Sequence, residues 1–413
     1  MTPRAILILI LASSRAFCES PSIEFAVSQI THGPKQHFFG YIGQCRTIPW
    51  SGDGRYILSM EVDFHDRMPR ADDAADILLI DTRNGNKIEK IDRTLAWNFQ
   101  QGTMFYWHPR AAKTQFFFND RDPKTGKVFT VLYDIEKRKR VREYRFDDTP
   151  IGNGGVAQDG SAFLGLNYGR LARLRPVTGY PEVPDWSKES DTPSNDGMFR
   201  VAIETGKKHV IVSYKQLADR LRKHGVDVSD TALFINHTLW NRETDRIYFF
   251  VRGGWSGRKG KKVNTPCSVR PDGTELELHD KFVGGHPEWA EGDLLIGRSG
   301  KKQVLYDVRK KTVVGQLGTP EIFPKPEGDV SLSPNGKWFV NGWKTDDGTC
   351  YAVYRRADKL SARTQKFERG KYSGDLRIDP APRWNRSGDA ILVPGIAKDG
   401  TRQLFVIRVS VRE

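Results

Sequence analysis

Trp50-Ser-Gly-Asp-Gly-Arg-Tyr-Ile-Leu-Ser-Met60 carries an aromatic anchor, a short polar turn and then a β-rich run. The same unit returns at Trp107-His-Pro, Val156-Ala-Gln-Asp-Gly, Trp240-Asn-Arg, Trp289-Ala-Glu-Gly, Leu332-Ser-Pro-Asn-Gly and Trp384-Asn-Arg-Ser-Gly. Anchor spacings of 57, 49, 84, 49, 43 and 52 residues suit four-stranded blades with insertions, so the repeat predicts an all-β, seven-bladed β-propeller. The 84-residue interval holds an extra loop through residues 176–198 and a predicted short helix over 214–224. The last unit has three strands of its own, ending in Arg402-Gln-Leu-Phe-Val-Ile-Arg-Val. The alternating segment Ile23 to Ile30 is expected to supply the fourth, closing the ring without a free edge.

Residues 1–20 read as a secretory signal, with Arg4 before the apolar run Ala5 to Ala12 and a polar exit, leaving 21–413 as one propeller domain. The run is too short to span a bilayer, and Arg15, Ala16 and Phe17 before Cys18 fit a lipid anchor poorly. A secreted or periplasmic monomer without a membrane anchor is expected. Cys45, Cys267 and Cys350 then remain, an odd number that implies no disulfide framework. The 65 Lys plus Arg against 51 Asp plus Glu give +14, which favours a polyanionic partner. These charges are spread along the chain, and for an exported protein that points to acidic polysaccharide instead of nucleic acid.

In a propeller the innermost strand of each blade runs towards its anchor, so residues three before the anchor mark the opposite face. They are Thr47, Met104, Asn153, His237, His286, Asp329 and Ala381. Three consecutive blades thereby bring two imidazoles and a carboxylate together, a donor set for a divalent metal, zinc first and manganese or calcium next. Cys267, taken to begin the third strand of the His237 blade, is the expected fourth ligand. Loops after the second strands should open on the same face with Asp63-Phe-His-Asp-Arg67, Asn119-Asp-Arg121, Asn167-Tyr-Gly-Arg-Leu-Ala-Arg-Leu-Arg175 and Arg252-Gly-Gly-Trp255. Guanidinium groups grip carboxylate or sulfate in bidentate fashion, and Trp255 and Tyr168 can stack on sugars. Any one of these arginines alone reads as a solvated loop charge; four loops together read as an anion site.

Trp97-Asn-Phe-Gln-Gln-Gly, Phe118-Asn-Asp-Arg, the Asn167-to-Arg175 stretch, Ile235-Asn-His-Thr-Leu-Trp, Gly285-His-Pro-Glu-Trp and Asp399-Gly-Thr-Arg-Gln-Leu-Phe together resemble the seven-bladed propeller polysaccharide lyases. The resemblance is to oligogalacturonate lyases and propeller ulvan lyases and covers nearly the whole chain after residue 20. It implies β-elimination on an anionic, sulfated uronic-acid glycan such as ulvan: a cation neutralises the carboxylate, a base takes the C5 proton and an acid protonates O4. Tyr168 is the expected acid or base, Arg170 or Arg175 the neutralising group and His65 the remaining histidine for proton transfer. Gln101, Asn119, Arg121, Arg252 and Trp255 would contact substrate. Gln101 and Asn119 stand where such lyases carry cleft histidines, and Ala381 replaces a histidine often found at the metal position. A non-catalytic propeller that binds acidic glycan or a protein is therefore the alternative. A hydrolase would need facing carboxylates, for which Asp66 and Asp120 are the candidates.

Overall fold

The computed structural model describes residues 21–40, 46–255 and 257–412. The signal assigned to 1–20 and the thiol of Cys45 lie outside the described residues. Seven four-stranded antiparallel sheets follow one another around an axis, so the chain is a seven-bladed β-propeller. Ser22–Gln29 pairs with Arg402–Arg412 in the register Ser22↔Arg412 to Gln29↔Phe405, and the closing strand falls where the alternation of residues 23–30 put it. Among the described residues no helix is long and apolar enough to cross a membrane.

The reason for tryptophan at the anchors is visible in its hydrogen bonds. Trp107 donates its indole N–H to Pro49 O (2.8 Å), Trp240 to Gly155 O (3.2 Å), Trp289 to Leu239 O (2.8 Å) and Trp384 to Ser331 O (3.1 Å). Each acceptor is the carbonyl one residue before the anchor of the preceding blade. One large side chain thus fills the gap between blades, and its polar end closes a backbone acceptor that would otherwise be buried unpaired. Val156 and Leu332 fill the same gap without the bond.

In the first blade the innermost strand is split. Gln36–Phe38 pairs with Met60 to Val62, and Trp50 bridges Ile57. The 84-residue interval contains two helices. Tyr214–Lys223 is the predicted one, begun by a reciprocal capping box between Ser213 and Gln216. The other, Tyr168–Leu174, stands where the sequence suggested an open loop. Asn167 caps it by accepting from Arg170 N, and Gly169 lies so close to Pro184 O that a Cβ would sit 2.2 Å from it. Short capped helices carry too few residues for the apolar periodicity that makes longer ones legible.

Candidate functional site

The innermost strands do not run straight to the face opposite the anchor turns. Three residues before their anchors, Met104, His237 and Ala381 have φ of 61°, 58° and 42°, in the left-handed region that non-glycine residues seldom occupy. In the blade of His237 the pairing of Phe234–Trp240 with Ile247–Gly253 slips between Asn236 and Leu239. The resulting bulge turns the imidazole out of the ladder. Such strain persists where the surroundings hold it and is concentrated at functional sites.

His286, one of the three residues singled out by the three-residue offset, stands between the other two, His237 and Asp329. The His237 and His286 rings are 5.4 Å apart at 70°, and His286 Nδ1 lies 2.6 Å from Asp329 Oδ1. The other carboxylate oxygen accepts from Ala381 N at 2.9 Å, so the next blade fixes the acid. Burial alone would raise the Asp329 pKa; His286, the Ala381 N–H and Lys344 outweigh it and hold the carboxyl below its ordinary value. His286 opens on a pocket of about 330 Å³ lined also by Trp343, Lys344, Asp379 and Lys325. Asp379 accepts from Lys344 Nζ (2.7 Å), Arg377 Nε (3.1 Å) and Gln100 Nε2 (2.9 Å).

Beside His237 lie Arg175 and Arg252, whose guanidinium carbons are 5.1 and 5.0 Å from the Trp255 ring centre, with Lys262 Nζ at 4.7 Å. Trp255 is fixed by donating to Val263 O (2.8 Å), and Arg252 Nε donates to Asn264 Oδ1 (3.0 Å). Among the described residues neither arginine has a carboxylate within 4.0 Å. Burial, then repulsion from Arg175, brings the Arg252 pKa down to about 9. Burial, with Arg252, His286 and Arg175, presses the His237 pKa well below its usual value and keeps that ring neutral.

Other expected site residues are elsewhere. Tyr168 is a core residue, 1% exposed, stacked on Tyr180 at 4.2 Å and donating to Asn153 O at 2.8 Å. Arg170 is wholly buried and gives its nitrogens to Leu233 O, Ser187 Oγ, Ser190 O and Asp191 O. Both were expected on an open rim; the helix turns them inward, and only Arg175 at its end reaches the face. Asn119 and Arg121 belong to the strand Gln115–Arg121, not to a loop. Asn119 bonds Asn153 and Tyr180, and Arg121 holds the carbonyls of Pro181 and Ala71. Gln101 lines a small axial recess with Met104 and Asn153.

His65 is sandwiched between Phe99 and Tyr372, at 4.2 and 4.1 Å, with Nε2 2.9 Å from Leu376 O. Burial, then Arg402, lowers its pKa to about 3, which suits a neutral packing group more than a proton carrier. Cys267 also departs from expectation. It is the fifth residue of Val263–Val269, wholly buried in the apolar core, with Sγ directed to Thr265 O. Among the described residues no three His, Cys, Asp or Glu side chains are placed to hold a metal ion. Lys344 and Asp379 were missed by sequence reading, although Lys344 ends the second strand of its blade, the offset that had singled out Arg121 and Arg252.

No protein-family model and no curated protein matches the chain. Among solved structures it is similar to an oligogalacturonate lyase in complex with manganese, at 13% identity and a TM-score of 0.61, over 95% of this chain and 98% of that one. It is also similar to prolyl endopeptidases, at 12% identity and a TM-score of 0.53, over 92% of this chain and 50% of that one. The likeness is one of fold. Propellers of this shape serve unrelated chemistries, so function has to be argued from the site.

Proposed function

We propose that the chain is a lyase that cleaves an acidic, uronic-acid glycan by β-elimination on the His286 face. The observation that carries this reading is the His286–Asp329 pair, joined through His237 to two guanidinium groups, Arg175 and Arg252, that have no carboxylate within 4.0 Å among the described residues. Together these side chains offer what elimination asks for. Arg175 and Arg252 would take the uronate carboxylate and lower the energy of the carbanion formed at C5. His286, held through Nδ1 by an ionised Asp329, would use its other nitrogen to remove the C5 proton, and Asp329 would stabilise the imidazolium. As the C5–H pair becomes the C4–C5 double bond, the C4–O4 bond breaks, the departing oxygen takes a proton from solvent, and the His286 imidazolium returns its proton to solvent.

The manganese held by the oligogalacturonate lyase makes a divalent ion part of the question. His237, His286 and Asp329 would be its ligands here, and it would help to neutralise the uronate carboxylate. As placed, however, His286 Nδ1 already engages Asp329, Cys267 is absent from the cluster and two arginines crowd His237, so no step above runs through a metal. Zinc loses its particular claim with the thiolate. Export through residues 1–20 and the +14 charge both favour an extracellular polyanion, of which sulfated ulvan is the proposed example.

The test is ultraviolet absorbance from the C4–C5 double bond, which hydrolysis and binding do not generate. Ulvan, polygalacturonate, alginate and glycosaminoglycans would be screened. Absorbance that is lost in His286→Ala supports the reading. Retention of one of these polymers on an affinity gel with no absorbance from any would replace it with a glycan-binding propeller.

A further inference from the structure

Two blades carry the same anchor sequence, Trp240-Asn241-Arg242 and Trp384-Asn385-Arg386. Their asparagines behave alike, Asn241 bonding Asp245 Oδ1 at 2.5 Å and Asn385 bonding Asp389 Oδ1 at 2.6 Å. Their arginines do not. Arg242 spends every nitrogen on carbonyls of the following blades: Nε on Trp289 O (3.1 Å), Nη1 on Pro334 O (3.0 Å) and Nη2 on Ser333 O (3.3 Å). Arg386 gives Nε to Ser51 O (2.9 Å), and its two terminal nitrogens meet no acceptor among the described residues.

Arg386 lines an open space at a blade junction. A pocket of about 630 Å³ lies between the closing blade and the first, on the anchor-turn side, opposite His286. Trp50, Asp53, Arg83, Asn86 and Asp389 line it with Arg386. Its size is that of a small-molecule site. Trp50 is the exception among the anchor tryptophans: the other four donate to the preceding blade, and its indole N–H has no such bond among the described residues. The acids of the pocket are already engaged, Asp53 by Ser51 Oγ (2.7 Å) and Arg55 N (3.1 Å), Asp389 by Asn385 and Ser387 Oγ (2.7 Å). Neither ion-pairs with Arg386. Burial lowers the Arg386 pKa, and no carboxylate offsets that cost.

We propose that this pocket is a second binding site, for the carboxylate-bearing residue of an acidic sugar, with Arg386 forking onto the carboxylate and Trp50, Asn86 and Asp389 meeting ring and hydroxyls. A planar fork of free donors matches a carboxylate geometrically. The inference is independent of the elimination chemistry, because the two sites lie on opposite faces and share no residue.

The test is calorimetric titration of the full chain with sodium glucuronate, with glucose and sodium sulfate as separate arms and tryptophan fluorescence recorded alongside. In the Arg175→Ala/Arg252→Ala background the other face is disabled, and one glucuronate site is expected to remain. Arg386→Ala should weaken that site at least about tenfold, the effect of losing one charge-assisted fork. Trp50→Phe should remove most of the fluorescence change. Ser387→Trp, placed at the exposed lip, should fill the pocket and block binding without touching Arg386, which covers the case of an Arg386 variant that fails to fold. Unchanged affinity in a folded Arg386→Ala or Ser387→Trp protein overturns the proposal. So does glucose binding as tightly as glucuronate, or sulfate alone competing at the same concentration, which would mark a site for any anion. Failure here with elimination intact leaves the His286 face untouched, and the converse holds equally.

Discussion

The part of the His286 face built by the second and third blades and the part built by the fourth to sixth are made of similar residue types, used in opposite ways. In the first part Asn119, Tyr168, Arg170 and Arg121 are buried and their polar atoms are bonded to backbone or to one another. In the second, Arg252 shares a tryptophan with Arg175, which reaches over from the third blade, neither having a carboxylate within 4.0 Å among the described residues, and His286 lines a pocket. Residue type does not distinguish scaffold from site here. What distinguishes them is whether hydrogen-bonding capacity has been used up within the fold.

That contrast can be broken by substitution. Arg170→Ala should be the most damaging change, costing roughly 3 kcal/mol or more of unfolding free energy in urea, because several buried carbonyls lose their donor at once. A loss under about 1 kcal/mol would mean that water replaces the guanidinium and the scaffold reading is wrong. His286→Ala should cost about 1 kcal/mol of urea stability, because buried Asp329 loses its imidazole but keeps the Ala381 N–H, while eliminative turnover falls by about 10²-fold or more, the usual worth of a positioned base. Equal losses of stability and activity would instead make His286 a structural residue.

The next effect is acid sensitivity. The folded-state pKa of His65, about 3, lies below its unfolded value, so between roughly pH 6.5 and 3 the unfolded chain binds the extra proton and stability falls as pH falls. The slope expected from this ring is about 1.4 kcal/mol per pH unit within that window. Unfolding curves of His65→Leu should be flatter there by that amount; an unaltered slope would remove His65 from the buried scaffold. A smaller change is expected for Tyr168→Phe, which loses one bond to Asn153 O, about 1 kcal/mol, and retains its turnover. Loss of turnover in a folded Tyr168→Phe would restore this tyrosine to the chemistry. The smallest effect should be on stability in Arg252→Gln, within about 0.5 kcal/mol of the parent, since the lost packing is offset by relief from Arg175. Affinity for acidic glycan should fall all the same.

Much of the architecture was legible because it depends on short-range signals repeated seven times. An anchor, a turn and an alternating strand are local, and the closing strand announced itself by the alternation of residues 23–30. The offset of three residues found His237, His286 and Asp329 for the same reason: equivalent positions in equivalent strands converge on one axis. Tyr168 and Arg170 were misplaced because a seven-residue helix, begun by one asparagine cap, rotated their side chains inward. Cys267 was misplaced by an error of strand phase, since a count that starts at the wrong residue moves a thiol from the face into the core.

The sequence by itself determined the number of blades, the tryptophan-stitched junctions, the ring closure and the three blades whose side chains meet at the axis. All of these follow from periodicity, which is a property of the chain. Only the tertiary structure decided which arginines are spent and which are free. Arg170 and Arg175 are five residues apart, one inside a short helix and one capping its end, and Arg242 and Arg386 occupy the same place in one motif. In both pairs the difference arises from carbonyls contributed by distant segments, which are present around Arg170 and Arg242 and, among the described residues, missing around the terminal nitrogens of Arg386 and beside Arg175. A guanidinium surrounded by such acceptors holds the fold together, whereas one without them is left for a ligand.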